Sequence, residues 1–248
     1  MRTVALFVPC YVDQLRPEVG IAALALLEER GLDVVFPPEQ ACCGQPFLTA
    51  GAPADAAILA QRFARVFARC DAVVAPSGSC VATLRRQLAR LGSAEARALG
   101  ERVFELCEFL AAQGEAPAPR AFPKRVALHA SCHALRELRL GTPSETREPP
   151  RDDPARSLLA RVPGLELVAL ARPDECCGFG GVFALQEADV SCRMAQDRLA
   201  DHGAARAEVV TSTDVSCLIQ LESVARRRQL PLQFLHVAEI LAGAGEAA

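Results

Sequence analysis

Eleven cysteines stand out in this chain of 248 residues, and eight of them fall into two sets with the same order. Each set has a single cysteine, then an adjacent Cys-Cys pair followed by glycine, then a second single cysteine. The first set is Cys10, Cys42, Cys43 and Cys80, and the second is Cys132, Cys176, Cys177 and Cys217. Four thiolates are the ligand complement of an iron–sulfur cluster. The repeat therefore predicts two metal centres, one in each half of the chain.

The adjacent cysteines favour a multi-iron cluster over a single ion. Structural zinc sites usually separate paired ligands by two residues, so that both sulfurs reach one tetrahedral ion. Neighbouring cysteines can instead bind different irons. Glycines follow both pairs, as Gly44 and as Gly178-Phe179-Gly180-Gly181, and glycine lets backbone N–H groups approach sulfur closely. We expect iron–sulfur clusters, with [4Fe–4S] as the first candidate and up to one in each half. Zinc stays open as a substitute.

The composition of the chain indicates where in the cell the protein is expected and which kinds of partner are not expected. The net charge is −3 and the isoelectric point is about 5.9, which does not suggest nucleic-acid binding. No apolar run approaches the roughly 20 residues that span a bilayer, and the start of the chain lacks a signal-peptide cleavage site. We expect a cytoplasmic protein, where thiols are kept reduced. The remaining cysteines, Cys70, Cys107 and Cys192, lie on helix-like segments and are expected to be inert.

Short β-rich runs alternate with longer helical ones, which predicts an α/β fold of two pseudo-repeated Rossmann-like units with mostly parallel sheets. Each motif cysteine follows the carboxyl end of a predicted strand, the edge at which such sheets bind ligands. The predicted domains are 1–115 and 125–248, joined by a linker at 116–124. The predicted strands are Thr3–Pro9, Asp33–Pro37, Ala72–Pro76, Arg125–Ala130, Glu166–Leu170 and Glu208–Ser212, and the predicted helices are Pro17–Arg30, Pro53–Arg69, Val81–Arg90, Pro154–Arg161, Val182–His202 and Val215–Arg228.

Six segments carry a resemblance to a known family. They are Val8-Pro9-Cys10, Ala41-Cys42-Cys43-Gly44-Gln45-Pro46, Pro76-Ser77-Gly78-Ser79-Cys80, Ser131-Cys132-His133, Cys176-Cys177-Gly178-Phe179-Gly180-Gly181 and Ser212-Thr213-Asp214-Val215-Ser216-Cys217. Over nearly its whole length the chain resembles the Cys-Cys-Gly cysteine-rich domain family, which includes a component of heterodisulfide reductase, and within it the compact lactate-utilisation proteins. The resemblance implies an iron–sulfur subunit that works with other iron–sulfur subunits in oxidising L-lactate or another small 2-hydroxy acid.

The chain departs from the heterodisulfide reductase pattern at one position in each half. Heterodisulfide reductase typically ends each motif with Cys-x-x-Cys, whereas the first of these positions is Ser77 in one half and Asp214 in the other. An ordinary [4Fe–4S] cluster, or one with an oxygen ligand, is then expected in place of a double cluster. Ser77 and Asp214 are possible ligands, although helix capping is the favoured interpretation. His133 is a possible ligand or proton carrier, and helix-start capping is again favoured.

Two other functions stay open at this point. The first is a zinc-stabilised scaffold subunit, and the second is a heterodisulfide-type thiol reductase that uses the vicinal cysteines. Vicinal disulfides are strained, and the chain has no Cys-x-x-Cys redox motif, which makes the thiol reductase the least favoured of the three. The spacing of the glycines after Cys177 does not match a dinucleotide-binding motif. No catalytic residue is predicted, and we do not expect the chain to be active alone.

Overall fold

The computed structural model describes residues 3–114 and 119–243, and the chain separates into two compact units, Met1–Ala116 and Pro117–Ala248. The first unit contains a parallel four-stranded sheet in the order β2-β1-β3-β4. Its strands are β1 (Thr3–Leu6), β2 (Asp33–Val35), β3 (Ala72–Ala75) and β4 (Val103–Glu105). Its helices are α1 (Cys10–Leu15), α2 (Pro17–Glu28), α3 (Gln45–Thr49), α4 (Pro53–Phe67), α5 (Gly78–Arg90), α6 (Ala94–Gly100) and α7 (Leu106–Ala112).

The second unit repeats this arrangement, with a parallel sheet in the order β6-β5-β7-β8. Its strands are β5 (Arg125–Leu128), β6 (Glu166–Leu167), β7 (Val209–Ser212) and β8 (Gln233–His236). A π-helical turn covers His133–Glu137, and the helices are α8 (Pro154–Leu159), α9 (Phe183–Gln186), α10 (Ala188–Ala204), α11 (Val215–Arg227) and α12 (Val237–Leu241). The two units thus share one strand order, as the repeated cysteine pattern predicts.

The central strands β3 and β7 are buried along their whole length, which explains their apolar sequences. All four residues of β3 and all four of β7 are buried, as expected for strands covered by helices on both faces. The strand order reverses between β1 and β3 in the first unit and between β5 and β7 in the second. Such a reversal opens a crevice at the carboxyl ends of the strands. The predicted α/β class with parallel sheets is confirmed.

Several predicted elements differ from those in the structure. Strands β4 and β8 were not predicted, and the remaining strands are shorter than expected. The predicted helix Val182–His202 is two helices, because Glu187 leaves the helical conformation with φ −120° and ψ 49°. The predicted linker 116–124 stays a prediction, since residues 115–118 lie outside the described residues. No helix within 3–114 or 119–243 has both the length and the apolar character that a membrane crossing requires.

The cores of the two units differ at one equivalent place. In the first unit, the Phe7 ring lies 5.4 Å from that of Phe63 and 6.0 Å from that of Phe67, edge to face in both cases. The corresponding positions of the second unit hold a basic triad, which is His129, Arg198 and His202. Phe7 and His129 each stand three residues before the first cysteine of their set, and Phe63 and Phe67 precede Arg198 and His202 by 135 residues in both cases.

The basic triad is fully enclosed. Relative exposure is 1% for His129 and 0% for both Arg198 and His202. Arg198 Nε donates to Nδ1 of His129 at 3.3 Å, and the His129 and His202 rings lie 6.2 Å apart. Burial, reinforced by the charge of Arg198, lowers the pKa of His129 to about 3 and that of His202 to about 2. Both imidazoles are therefore neutral in the folded protein near neutral pH.

We expect the His202→Phe variant, which introduces the residue type of the equivalent Phe67, to be less sensitive to acid than the wild type. The unfolded chain binds a proton at His202 below a pKa of 6.5, whereas the folded chain does so only near 2. Stability therefore falls as the pH falls, by up to about 1.4 kcal/mol per pH unit from this group. Urea-unfolding midpoints of both proteins between about pH 5 and about pH 8 measure the difference. Identical pH dependence would contradict the prediction.

Candidate metal centres

The first cysteine set lies in the crevice at the carboxyl edge of the first sheet. Cys10 follows β1 and begins α1, Cys42 and Cys43 lie in the loop between β2 and α3, and Cys80 lies in the first turn of α5 after β3. Three loops from three neighbouring strands thus supply the four thiols. We call these four cysteines the first site.

The thiols of the first site form a continuous chain of contacts. The Sγ atoms of Cys10 and Cys42 are 3.8 Å apart, and the Cys43 thiol contacts those of both Cys42 and Cys80. Cys43 and Cys80 are buried at 3% and 8% exposure, whereas Cys10 and Cys42 are half-buried. The site therefore has an enclosed side and a side that reaches solvent.

The electrostatics of the first site favour a thiolate at Cys42. The thiols of Cys10 and Cys43 hydrogen-bond to its sulfur, and together with the Gly44 N–H they lower the pKa of Cys42 to about 3. The same contacts raise the pKa of Cys10 and of Cys43, because their protons are held against the Cys42 sulfur and burial disfavours additional charge. Crowded thiols of this kind lose protons together when a cation binds them.

The second site, formed by Cys132, Cys176, Cys177 and Cys217, reproduces this arrangement. Cys132 precedes the π-helical turn, the vicinal pair lies between β6 and α9, and Cys217 lies in the first turn of α11. Thiol contacts join Cys132 to Cys176 and Cys177 to its two neighbours, Cys176 and Cys217. The thiols of Cys132 and Cys177 and the Gly178 N–H lower the pKa of Cys176 to about 2. Each site thus centres on the first cysteine of its vicinal pair.

The glycine after each pair directs its N–H at sulfur. Gly44 N lies 3.5 Å from Cys42 Sγ, and Gly178 N lies 3.4 Å from Cys176 Sγ. Both glycines have positive φ, +91° and +83°, a conformation that other residues adopt at a cost. A Cβ on Gly178 would also lie 2.6 Å from the carbonyl oxygen of Ser191, whereas a Cβ on Gly44 meets nothing closer than 3.4 Å.

We expect Gly178→Ala to damage the protein more than Gly44→Ala. Both variants strain a left-handed backbone, at a cost on the order of 1 kcal/mol, but only Gly178→Ala also forces a Cβ against a carbonyl group. A lower unfolding midpoint and a weaker retention of metal by Gly178→Ala than by Gly44→Ala would show this. Equal effects at the two positions would contradict it.

The donor chemistry of both sites fits a thiophilic metal centre. Each provides four sulfur atoms from one sheet edge, a backbone N–H directed at sulfur, and a partly open side. All eleven cysteines lie among the described residues and none forms a disulfide. Cys70 and Cys107 are buried and lie outside the two cysteine sets in sequence, and Cys192 is half-buried on α10. The predicted cysteines are therefore the ones that the fold brings together.

The residues considered as additional ligands have different roles. Ser77 caps α5, since its Oγ accepts from the Cys80 N–H at 3.3 Å. The prediction that Asp214 caps a helix is wrong, because its side chain makes no cap hydrogen bond with α11. The Asp214 carboxylate instead accepts a hydrogen bond from the Ser131 hydroxyl. His133 begins the π-helical turn, with Nδ1 3.7 Å from Cys132 Sγ and Nε2 3.6 Å from Glu137. Asp214 and His133 thus both lie beside the second site.

His129 is a site residue that its sequence context does not reveal, since a histidine within a strand suggests only a satisfied buried group. A ring nitrogen of His129 and the Sγ atoms of Cys177 and Cys217 all lie within 4.8 Å of one another. The equivalent position beside the first site is the apolar ring of Phe7. The repeat is the signal that identifies this position, because His129 and Phe7 each stand three residues before the first cysteine of their set.

Comparison with known proteins agrees with this geometry. The model of the CCG cysteine-rich domain matches residues 4–85 and 126–222, which together include all eight cysteines of the two sites. The chain belongs to the CCG cysteine-rich domain family. The resemblance proposed from the sequence is thereby confirmed, and each unit carries one copy of the family's domain.

Several relatives that this CCG protein matches along nearly their full length are named Lactate utilization protein A. This chain is 36% identical to Lactate utilization protein A of Exiguobacterium sp. (strain ATCC BAA-1283 / AT1b), and the alignment covers 97% of each chain. Identity is 34% to Lactate utilization protein A of Bacillus velezensis and 35% to that of Geobacillus kaustophilus, with 96% of this chain and 98% of each relative covered. The similarity thus extends across both CCG domains.

Proposed function

We propose that this chain is an iron–sulfur redox subunit of a cytosolic complex that oxidises L-lactate, or another 2-hydroxy acid, to the 2-oxo acid. The observation that carries the proposal is the pair of four-thiol sites, each in the switch-point crevice of its own sheet. The naming of full-length relatives as lactate utilization proteins supports the choice of substrate class.

The residues of each site have separate tasks in this proposal. Cys10, Cys42, Cys43 and Cys80 would hold one cluster, and Cys132, Cys176, Cys177 and Cys217 would hold the other, most simply as [4Fe–4S]. Such clusters supply one-electron chemistry. The buried cysteines shield one side of each site from water, while the half-buried ones leave a side that electron donors and acceptors can approach. Gly44 and Gly178 provide N–H groups that stabilise negative charge on sulfur.

Two one-electron sites suit the oxidation of a 2-hydroxy acid, which releases two electrons and two protons. We propose that partner iron–sulfur subunits provide the substrate site or the onward electron path. The segment 141–153 is the proposed contact region beside the second site. Arg136 Nε pairs with Glu145 at 2.7 Å, and Asp174 accepts from the Ser144 N–H at 2.6 Å. These bonds tie the segment to the turn after Cys132 and to the loop before Cys176.

Anaerobic purification followed by iron, sulfide and zinc analysis tests the cluster part of the proposal. Iron and acid-labile sulfide in both units are expected, and zinc without iron after iron-replete expression would support the scaffold alternative instead. Deletion of the gene tests the pathway part, with growth on lactate as sole carbon source as the measurement. Unimpaired growth in a strain with no other lactate-oxidising route would contradict it, and restored growth with the wild-type gene is the control.

A further inference from the structure

One side of the second site has a polar neighbour where the first site has an apolar one. His129 lies within 4.8 Å of the Cys177 and Cys217 sulfurs, in the place where the first unit has Phe7. The ring is 1% exposed, so water does not compete for its nitrogens. A neutral imidazole in this position either binds the metal through a lone pair or donates an N–H to sulfur, and its tautomer decides between the two.

Arg198 fixes the tautomer of His129. A guanidinium stays protonated in proteins and only donates hydrogen bonds. Since Arg198 Nε donates to His129 Nδ1 at 3.3 Å, Nδ1 must carry the lone pair and Nε2 must carry the proton. Arg198 is itself held by Asp201, with Nη1 to Oδ2 at 2.9 Å, and by the carbonyl oxygen of Arg172. The imidazole therefore has a donor, and no second lone pair, to offer the sulfur atoms.

We propose that the Nε2–H group of His129, positioned by Arg198, donates a hydrogen bond to the sulfur ligands of the second centre and raises its reduction potential. The inference rests on the proposed iron–sulfur function. N–H donation to cluster sulfur stabilises the more negatively charged, reduced state. At the equivalent place beside the first centre, Phe7 offers only an apolar edge. His129 thus makes the two centres of one chain inequivalent.

A second charged group beside the same site acts in the opposite direction. Asp214, 1% exposed, stands three residues before Cys217, and its carboxylate accepts a hydrogen bond from the hydroxyl of Ser131, the residue before Cys132. Its place in the first unit is taken by Ser77. The reduction potential of the second centre relative to that of the first therefore depends on the opposing effects of His129 and Asp214. The contribution of His129 is measured by changing His129 alone.

The tautomer is tested without any cluster. Nitrogen NMR of metal-free protein containing isotope-labelled histidine distinguishes protonated from unprotonated ring nitrogens, and the His129→Gln variant assigns the His129 signals. We expect Nε2 to be protonated and Nδ1 unprotonated, and the Arg198→Met variant to lose this fixed preference. A protonated Nδ1 in the wild type would overturn the proposal. This result is independent of which metal the protein binds.

The effect on potential is tested in a Cys43→Ser background, which leaves the second centre alone to be titrated. We expect anaerobic redox titration followed by EPR to give a lower midpoint potential for His129→Phe. His129→Gln, which keeps an amide N–H donor, should give a value between those of His129→Phe and the parent. Phe7→Leu, at the equivalent place beside the first site, is the matched control and should leave the second centre unchanged.

Three outcomes would overturn the inference. Equal midpoint potentials for the parent, His129→Phe and His129→Gln would show that no hydrogen bond tunes the centre. Loss of the second centre's iron in both His129 variants would make His129 a ligand instead of a donor. A protonated Nδ1 would remove the donor altogether. Absence of iron and sulfide from the wild-type protein is a different result, which defeats the proposed function itself and leaves the tautomer of His129 to be judged by NMR.

Discussion

The Cys177→Ser variant is expected to lose the metal of the second site and to keep that of the first. Cys177 is 3% exposed and its thiol contacts those of both Cys176 and Cys217. A serine hydroxyl at this position is a poor substitute for a thiolate. Because all four thiols of the first site lie within Met1–Ala116, we expect iron and sulfide to fall to about half of the wild-type content. Elemental analysis after anaerobic purification measures this.

Two matched variants make the result specific. Cys43→Ser should produce the mirror image, with metal retained only in the second site. Cys192→Ser changes a half-buried thiol of the second unit that is outside the cysteine set, and it should retain the full metal content. Full iron in Cys177→Ser would contradict the ligand assignment. Complete loss from Cys177→Ser would contradict the independence of the two sites.

Asp201→Asn is expected to destabilise the second unit strongly. The Arg198–Asp201 pair is buried, with side-chain exposures of 0% and 4%, and Asp201 also accepts from the backbone N–H groups of Ala171 and Arg172, both at 3.1 Å. Removing one charge of a buried pair leaves the other uncompensated, at a cost of about 3–5 kcal/mol. Urea unfolding of wild type and variant measures it.

Asp197→Asn is the control on the same helix. Asp197 pairs with Arg193 at 3.7 Å, but the two side chains are 52% and 75% exposed, so the loss should be at most about 1 kcal/mol. A combined variant that transplants the first unit's residues (His129→Phe, Arg198→Phe, Asp201→Val and His202→Phe) removes both charges and should be more stable than Asp201→Asn. Equal stability of Asp197→Asn and Asp201→Asn would show that burial does not determine the cost.

The parts of the structure that the sequence predicts are those marked by local composition. Continuous apolar runs such as Ala72–Ala75 indicate buried parallel strands, and the repeated cysteine motifs locate both sites. Strands β4 and β8 were missed because each passes directly into a helix, at Leu106 and at Val237. The break at Glu187 was missed because neither proline nor glycine marks it, and only the tertiary structure separates α9 from α10.

The basic triad was missed for a different reason. His129 stands 69 residues before Arg198, and no local pattern connects the two. Each residue considered alone suggests an ordinary role, a satisfied buried group for His129 and a helix-end residue for His202. Only the fold brings His129, which follows β5, against helix α10. Comparison of the two halves position by position would have revealed the change from Phe7, Phe63 and Phe67 to basic residues.

Each cysteine set lies within a single unit, and this has a consequence for the order in which the sites form during protein synthesis. Cys80, the last ligand of the first site, is followed by strand β4 and helix α7 before the unit ends at Ala116. All the groups needed to hold one centre have therefore left the ribosome while most of the second unit remains to be translated. Under the proposed function, metal insertion into the first site would require no residue that is still to be synthesised, so the two sites could be filled in succession along the nascent chain.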